Sequence, residues 1–280
     1  MQATQPVLQT LKKEPKTWIY KWIAFLLVFL MAYWSYSSIT FNGINENSFQ
    51  IIRNILRYLV WPDSNPNNLV ISKYLLSFEK YAIPYLMFET VMIAFIGTLL
   101  GAIFSIPMAF VSSKNLVGEK IAFLGSFIIT LIRTVPIFIW GIIFIRIQGG
   151  AMAGVMAIAV SSIGMMSKLF IEVIEDIDKG ILEALDSMGA NMIQKIRFGI
   201  MPQLTASFLS TSIYRFEINV KNATILGMVG AGGIGFTLID ALGSFNFGIV
   251  AVALWGIIPV VLIIEMVSSR VRKKLAINQS

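Results

Sequence analysis

Six apolar segments, each long enough to cross a lipid bilayer, constrain this chain of 280 residues more than any other feature. The hydrocarbon core of a bilayer is about 30 Å thick, and a helix needs about 20 apolar residues to cross it. Because lipid offers the backbone no hydrogen-bond partners, such segments fold as helices. The sequence therefore predicts an all-α integral membrane protein with six transmembrane helices. The predicted spans are residues 18–39, 86–111, 121–146, 151–170, 203–228 and 247–268.

Composition supports a membrane protein and excludes several kinds of chemistry. Hydrophobic residues make up 56% of the chain and charged residues 13%, against about 25% charged residues in soluble domains. Cysteine and histidine are both absent, so disulfides, thiolate metal sites and Ser-His-Asp catalysis are excluded. The sequence also lacks a Walker A motif. We therefore expect no catalytic residue, no metal, no cofactor and no nucleic-acid partner.

The distribution of lysine and arginine predicts the orientation. Six spans place both termini on one side, and fourteen basic residues fall on that side against five on the other. Because basic residues are enriched in cytoplasmic loops, we expect cytoplasmic termini and a cytoplasmic segment at 171–202. The fourteen are Lys12, Lys13, Lys16, Lys21, Lys114, Lys120, Lys168, Lys179, Lys195, Arg197, Arg270, Arg272, Lys273 and Lys274. The five are Arg53, Arg57, Lys73, Lys80 and Arg146.

The first external loop, residues 40–85, contains apolar residues at helical spacing. Two interpretations stay open: an interfacial helix on the outer leaflet, or a contact with an external substrate-delivery protein. The apolar positions are Phe49, Ile52, Ile55, Leu56 and Leu59.

The cytoplasmic segment has the pattern of two short helices joined at a glycine. Residues 176–188 predict an amphipathic helix, and Gly189 supplies a left-handed cap that ends it. Residues 191–199 predict a second short helix, and Pro202 suits the start of the fifth span. We call residues 176–200 the elbow. From spacing alone it is either an ordinary amphipathic connector or a docking surface that passes motion into the spans.

Two arginines are predicted to lie deep in the membrane. Arg133 and Arg215 each lie twelve residues into an inward-to-outward span, which places them about 18 Å from the cytoplasmic edge. Ionisable residues at this depth are costly and mark functional sites. The planar guanidinium matches phosphate-like oxygens, so both arginines are candidates for an anion path. A purely structural role stays open, above all for Arg133.

The fifth span separates its polar residues onto two faces. Arg215, Asn219 and Asn222 lie within about 40° of one face. Glu217 and Lys221 lie on the opposite face at a spacing of i,i+4. We predict that the first set lines the substrate path and that the second is a structural ion pair between helices.

Two stretches resemble known importers. The run from Glu183 to Gly189, followed by Gly199-Ile200-Met201-Pro202, resembles the "EAA" loop of ABC-importer permeases, with departures at Leu185, Gly199 and Met201. Residues 214–224, 226–227 and 230–235 resemble the phosphonate ABC-importer permease family more specifically. The opening of that family's permease core also resembles Glu89-Thr90, Gly97-Thr98, Gly101, Pro107, Ala109-Phe110 and Lys114-Asn115.

The resemblance implies a type I ABC importer permease fold, with residues 1–85 as an amino-terminal segment and 86–275 as the permease core. Within that core it implies a coupling loop at 171–202. It further implies a bacterial cell membrane protein that works as a homodimer with membrane lipid around it, two cytoplasmic ATPases and an external solute-binding protein. The implied coupling residues are Glu183, Ala184, Leu185, Gly189 and Ala190.

The substrate implied by the resemblance is a phosphonate or a related phosphorus oxyanion, carried by alternating access. Phosphate, phosphite and an unrelated nutrient such as an amino acid stay open as alternatives. A different class, an ion-coupled carrier or channel, also stays open.

Overall fold

The computed structural model describes residues 17–39, 48–60, 82–177 and 179–277, where all regular structure is helical. The chain divides into two compact units, residues 1–50 and 51–280. The first contains α1 (Thr17–Ser38), whose side chains are all exposed, and the first residues of α2 (Ser48–Val60). Of the predictions above, those for Lys12, Lys13 and Lys16 and for parts 40–47 and 61–81 of the external loop at 40–85 lie outside the described residues.

The second unit contains the remaining helices. A π-helical turn, Lys195–Ile200, leads directly into α10. The helices are α3 (Ile83–Ser112), α4 (Lys114–Val117), α5 (Glu119–Thr134), α6 (Ile137–Ile147), α7 (Ala151–Glu175), α8 (Lys179–Ser187), α9 (Met192–Gln194), α10 (Met201–Gly227), α11 (Ile234–Gly243) and α12 (Phe247–Ile277).

The predicted third span is not one straight helix. α5 and α6 meet at an angle of 83°. Val135 is extended and Pro136 caps α6, because a proline disfavours helical backbone in the residue before it. The predicted span at 121–146 therefore corresponds to two helices joined at a break, which the sequence analysis did not predict.

Fewer helices than predicted meet the length and composition of a membrane span. In the described part of the chain α1, α3, α7 and α12 do so, and the bent pair α5–α6 makes a fifth. The predicted span at 203–228 corresponds to α10, which is 27 residues long but carries the polar residues of both its faces. The predicted count of six thus becomes four or five on these two criteria.

Close packing of α3 against α7 forms the centre of the second unit. A Cβ atom on Gly97 would lie 2.7 Å from Ile158 Cγ2, and one on Gly101 would lie 2.5 Å from Ser162 Cβ. Small residues let the two helices approach closely, as is typical of helices in membranes. α10 packs across this pair and adds Val220, Ala223 and Leu226 to its core.

The elbow also differs in detail from its predicted boundaries. α7 continues through Glu175, where Asp176 ends it, so the amphipathic helix begins only at Lys179. Contacts with α4 stabilise the longer α7: Lys114 N–H donates to Glu175 Oε1 at 2.9 Å, and Asn115 Nδ2 donates to the Ile174 carbonyl at 2.8 Å. The predicted second helix at 191–199 is a single α-turn followed by the π-turn.

Candidate substrate path and coupling surface

A buried polar cluster lies where α10 crosses α3 and α7. Asn219 is fully buried, and its Nδ2 lies 2.8 Å from both Thr98 Oγ1 and Ser162 Oγ. Arg215 is 5% exposed; its Nη2 donates to Ser161 Oγ at 3.0 Å and its Nε to Ser162 Oγ at 3.4 Å. Three helices therefore meet through Asn219, and Ser162 accepts from both α10 side chains.

Asn222 extends the cluster by one turn. It is half-buried, and its Nδ2 lies 3.5 Å from Asn219 Oδ1. The stripe of Arg215, Asn219 and Asn222 thus shares one side of α10, and its first two members contact neighbouring helices of the same chain. Its role as a substrate path stays a prediction.

The positive charge of Arg215 has no neutralising partner in the described part of the chain. Among the described residues no carboxylate lies within ion-pair distance of its guanidinium. Its two recorded hydrogen bonds are to neutral serine hydroxyls. Because a buried charge is costly unless it is paired, an anion bound here would gain more than one bound to an already compensated arginine.

Arg133 lies apart from this cluster. It is exposed near the end of α5, two residues before the break at Val135. A Cβ atom on Gly164 would lie 2.9 Å from Arg133 Cγ. The stem of Arg133 therefore lies against α7 at Gly164, one helical turn from Ser161.

The opposite face of α10 carries compensated charges. Glu217 is buried; its Oε2 lies 3.0 Å from Arg272 Nη2, and its Oε1 lies 3.9 Å from Lys221 Nζ. Lys221 Nζ is closer to Glu265 Oε2, at 3.0 Å, and Arg272 stacks over the ring of Tyr214 at 5.0 Å. The predicted pair of Glu217 and Lys221 is therefore part of a four-residue network with α12.

Sequence reasoning missed the partners of both faces. Glu265 and Arg272 are seven residues apart, so they share one face of α12, and this spacing was a usable signal. The hydroxyls of Thr98, Ser161 and Ser162 were a weaker signal in the sequence. Such side chains often bond their own helix, as Thr98 Oγ1 does to the Ala94 carbonyl at 2.6 Å.

The elbow turns sharply at Gly189. This glycine has a φ of 75°, as its predicted capping role requires. Ala190 N–H donates to the Leu185 carbonyl at 3.0 Å and Gly189 N–H to the Asp186 carbonyl at 2.9 Å, which is the bonding pattern of a Schellman cap. Lys195 forms an ion pair with Asp186 across the turn. The two short arms are thus held to each other.

The second arm of the elbow starts with a reciprocal cap. Asn191 N–H donates to Gln194 Oε1 at 2.8 Å, and Gln194 N–H donates to Asn191 Oδ1 at 2.9 Å. Two backbone donors at the start of the arm are satisfied in this way.

The elbow is buried at its ends and exposed between them. Ile177 and Ile200 join a core cluster with Phe170, which stacks on Phe208. Exposed apolar side chains lie between these anchors: Ile181, Met188, Ile193 and Phe198. Of the predicted coupling residues, Glu183, Ala184 and Gly189 are exposed, and Leu185 and Ala190 are half-buried. An exposed apolar surface on a fixed support is suited to a protein partner.

Comparison with known proteins gives a consistent family match. The family described as binding-protein-dependent transport system inner membrane component matches residues 101–276. Phosphite transport system permease protein PtxC of Stutzerimonas stutzeri is 36% identical over 189 residues, covering 67% of this chain and 69% of that protein.

Two further relatives match over different shares of their length. Phosphate-import permease protein PhnE of Mycolicibacterium smegmatis is 36% identical over 193 residues, covering 67% of this chain and 36% of that protein. Putative cryptic phosphonate transport system permease protein PhnE2 of Escherichia coli is 41% identical over 118 residues, covering 42% of this chain and 97% of that protein.

A solved structure shares the fold. The MetNI methionine ABC transporter, in an inward-facing conformation, superimposes with a TM-score of 0.59 at 20% identity, covering 68% of this chain and 94% of that chain. At this identity the likeness concerns the fold alone.

Proposed function

The chain belongs to the family of binding-protein-dependent transport system inner membrane components, and we propose from that premise that it carries a phosphorus oxyanion. As a member of this family it is a membrane permease subunit of an ABC importer and not an enzyme. The names of its relatives refer to phosphite, phosphate and phosphonate. What these substrates share is an anionic phosphorus centre surrounded by oxygen atoms, and the chain's own site suits that chemistry.

The observation that carries the proposal is the uncompensated guanidinium of Arg215. It is buried, and its recorded partners are the hydroxyls of Ser161 and Ser162. A phosphorus oxyanion offers the guanidinium two charged oxygens in a matching plane. It would therefore replace two neutral acceptors with a charged one.

The same geometry suggests how the path operates. In this conformation Ser162 accepts from both Arg215 and Asn219. When α10 moves relative to α7, these bonds open and the donors on the face of Arg215, Asn219 and Asn222 become free for the anion. Arg133, close by on α5, forms a second cationic step. Alternating access then depends on the movement of one helix.

Energy for this movement enters through partner subunits in our proposal. Two cytoplasmic ATPases dock on the elbow at Glu183, Ala184, Leu185, Gly189 and Ala190. The exposed apolar side chains and the buried ends of the elbow support this role, because a stiff connector transmits a displacement to α7 and α10. Docking would cover Met188 and Ile193, which are 73% and 76% exposed.

The other partners follow from the same proposal. The chain works in the bacterial cell membrane as a homodimer surrounded by lipid, with both termini cytoplasmic, as the excess of basic residues on that side supports. An external binding protein delivers the anion at the end opposite the elbow. A cavity of about 450 Å³ there supports a contact; its lining includes Asn54 and Tyr58 of α2 and Ser244 and Asn246 before α12.

Uptake measurements test the substrate. The chain is expressed together with a candidate ATPase and a candidate binding protein from the same organism, in cells that lack their own phosphorus-oxyanion importers. We expect growth on phosphite, a phosphonate or phosphate as the sole phosphorus source, together with uptake of the labelled compound. Uptake of an amino acid such as methionine, with none of the three phosphorus compounds taken up, would contradict the proposal.

Copurification tests the coupling surface. Gly189→Ala places a Cβ atom at a positive φ, at a cost of about 1–2 kcal/mol, and disturbs the elbow. We expect less ATPase to copurify and uptake to fall. Gly150→Ala is the matched control, because Gly150 also has a positive φ, 74°, with nothing within 4 Å of an added Cβ. Equal losses in both variants would count against an ATPase contact at the elbow.

A further inference from the structure

A lysine-rich cavity lies beside the elbow, between α4, α5 and α7. Its volume is about 740 Å³, and its wall combines three lysines and two glutamates with apolar groups. The lysines come from three different helices, so the fold brings together charges that are far apart in sequence. The lining residues are Lys114, Glu119, Lys120, Phe123, Ser126, Lys168, Ile171 and Glu175.

The positive charges of this cavity are only partly compensated. Lys168 Nζ lies 3.2 Å from Glu172 Oε1. Glu175 Oε1 accepts the backbone N–H of Lys114 at 2.9 Å, so it is already engaged. Across the described part of the chain no ion pair involves the side chains of Lys114 or Lys120. Glu119 and Glu175 also line the cavity, so its lining carries three positive charges against two negative ones. The Lys114 and Lys120 ammonium groups remain without an ion pair in the described structure.

The apolar part of the wall continues onto a surface that faces away from the protein core. Phe123 is 72% exposed, and its neighbours Ile121 and Leu124 are 54% and 61% exposed. All three lie in the first turns of α5, within the segment predicted to cross the bilayer. A soluble anion makes no favourable contact with these apolar side chains. A lipid would place its acyl chains along them and its headgroup among the lysines.

We propose that this cavity binds the phosphate headgroup of an anionic phospholipid at the membrane surface beside the elbow. Basic pockets between membrane helices are suited to such headgroups. The phosphate would be held by Lys114 and Lys120, while the acyl chains lie along Phe123. This site is distinct from the cluster at Arg215 and requires only that the chain crosses a membrane.

The bound lipid would have a structural consequence for transport. Lys114 and Glu175 join α4 to the end of α7, which is the end where the elbow begins. A lipid between α4 and α5 would therefore hold the base of the helix that carries Ser161 and Ser162.

Thermal stabilisation of the full-length chain in detergent tests the site. The probes are dioleoylphosphatidylglycerol, dioleoylphosphatidylcholine and inorganic phosphate. We expect the apparent Tm to rise with phosphatidylglycerol and much less with the other two. In the variant Lys114→Gln/Lys120→Gln the affinity for phosphatidylglycerol should fall about fivefold for each lysine removed. Both side chains are exposed, so the variant should fold.

The matched control is Lys273→Gln/Lys274→Gln, which removes the same charge from two exposed lysines near the end of α12. We expect it to keep the response to phosphatidylglycerol. An equal loss in both variants would overturn the proposal, because the attraction would then be non-specific. Full stabilisation by inorganic phosphate would mean that the cavity binds a free anion. Full stabilisation by phosphatidylcholine would mean that binding does not depend on the negative charge of the lipid. Either result would also overturn it.

Discussion

The two faces of α10 carry similar numbers of polar side chains but treat charge in opposite ways. On one face Glu217 is matched by Arg272, and Lys221 by Glu265, so each charge has an opposite charge within 3.0 Å. On the other face the guanidinium of Arg215 donates to two neutral serine hydroxyls and has no ion pair in the described structure. The compensated face joins α10 to α12. On the uncompensated face Arg215 lacks a negatively charged partner, and in our proposal the transported anion supplies it.

This difference teaches that polarity within a membrane helix does not by itself identify a site. A closed network lowers the cost of burying its members and leaves little to offer a ligand. An isolated cation among neutral donors and acceptors keeps its attraction for an anion. Removing a charge should therefore affect stability on one face and transport on the other.

The largest expected effect is on the uncompensated face. Arg215→Gln removes the guanidinium but keeps a hydrogen-bonding side chain. A hydrogen bond to a charged group contributes about 1.5–3 kcal/mol, so uptake should fall at least about tenfold. The apparent Tm should not fall, because a buried unpaired charge has been removed. Labelled-anion uptake and thermal unfolding of the same preparation measure the two effects.

Lys221→Gln is the matched control for this experiment. It removes the same charge from the same helix, but its side chain is 46% exposed and belongs to the opposite face. Uptake should stay close to that of the unmodified chain. If both variants lost uptake equally, the comparison of the two faces would fail.

The next effect is expected at the close contact between α3 and α7. Gly101→Ala places a Cβ atom 2.5 Å from Ser162 Cβ, and overpacking of this kind costs about 1–3 kcal/mol. Since Ser162 holds both Arg215 and Asn219, uptake should fall together with the apparent Tm. Gly243→Ala is the control, because an added Cβ there has nothing within 4 Å. Unchanged uptake in Gly101→Ala would show that the position of Ser162 does not matter for the substrate path.

On the compensated face the expected effect is on stability. Glu217→Gln leaves Arg272, whose side chain is 29% exposed, without its carboxylate. Since the pair is only partly buried, we expect a loss of about 1–3 kcal/mol, measured as a lower apparent Tm, with unchanged uptake per folded molecule. The double variant Glu217→Gln/Arg272→Gln should recover part of the loss. Additive losses would mean that the two side chains are not coupled.

The smallest effect is expected at the exposed ion pair of the network, Lys221–Glu265. Lys221 and Glu265 have side chains that are 46% and 50% exposed, and such pairs contribute about 0–1 kcal/mol. Glu265→Gln should leave uptake unchanged and shift the apparent Tm less than Glu217→Gln does. A larger shift than that of Glu217→Gln would mean that the exposed pair Lys221–Glu265 stabilises the protein more than the pair Glu217–Arg272.

What the sequence predicted about α10 follows from local geometry. Helical periodicity is enough to separate Arg215 and Asn219 from Glu217 and Lys221. It cannot identify Ser162 or Arg272 as partners, because that depends on how far neighbouring helices are shifted along each other. The same limit applies to α7, which contacts with α4 extend through Glu175.

The break in the third span was missed for a similar reason. Residues 121–146 are predominantly apolar, and hydropathy does not distinguish a straight helix from two helices at an angle. Pro136 was visible, but prolines also occur inside long helices here, as Pro107 does in α3 and Pro259 in α12. The size of a bend depends on what the two arms pack against, and this is a property of the tertiary structure.

The π-turn at Lys195–Ile200 fixes the angular phase between the elbow and the rest of the chain. A π-turn contains one residue more than the α-turn it replaces. Deleting a single residue there would restore regular spacing and rotate everything before it by about 100° around the axis of α10. The surface now presented by Met188 and Ile193 would then point elsewhere, although every side chain of the path would keep its place. One residue in this turn thus sets the direction in which the proposed docking surface faces.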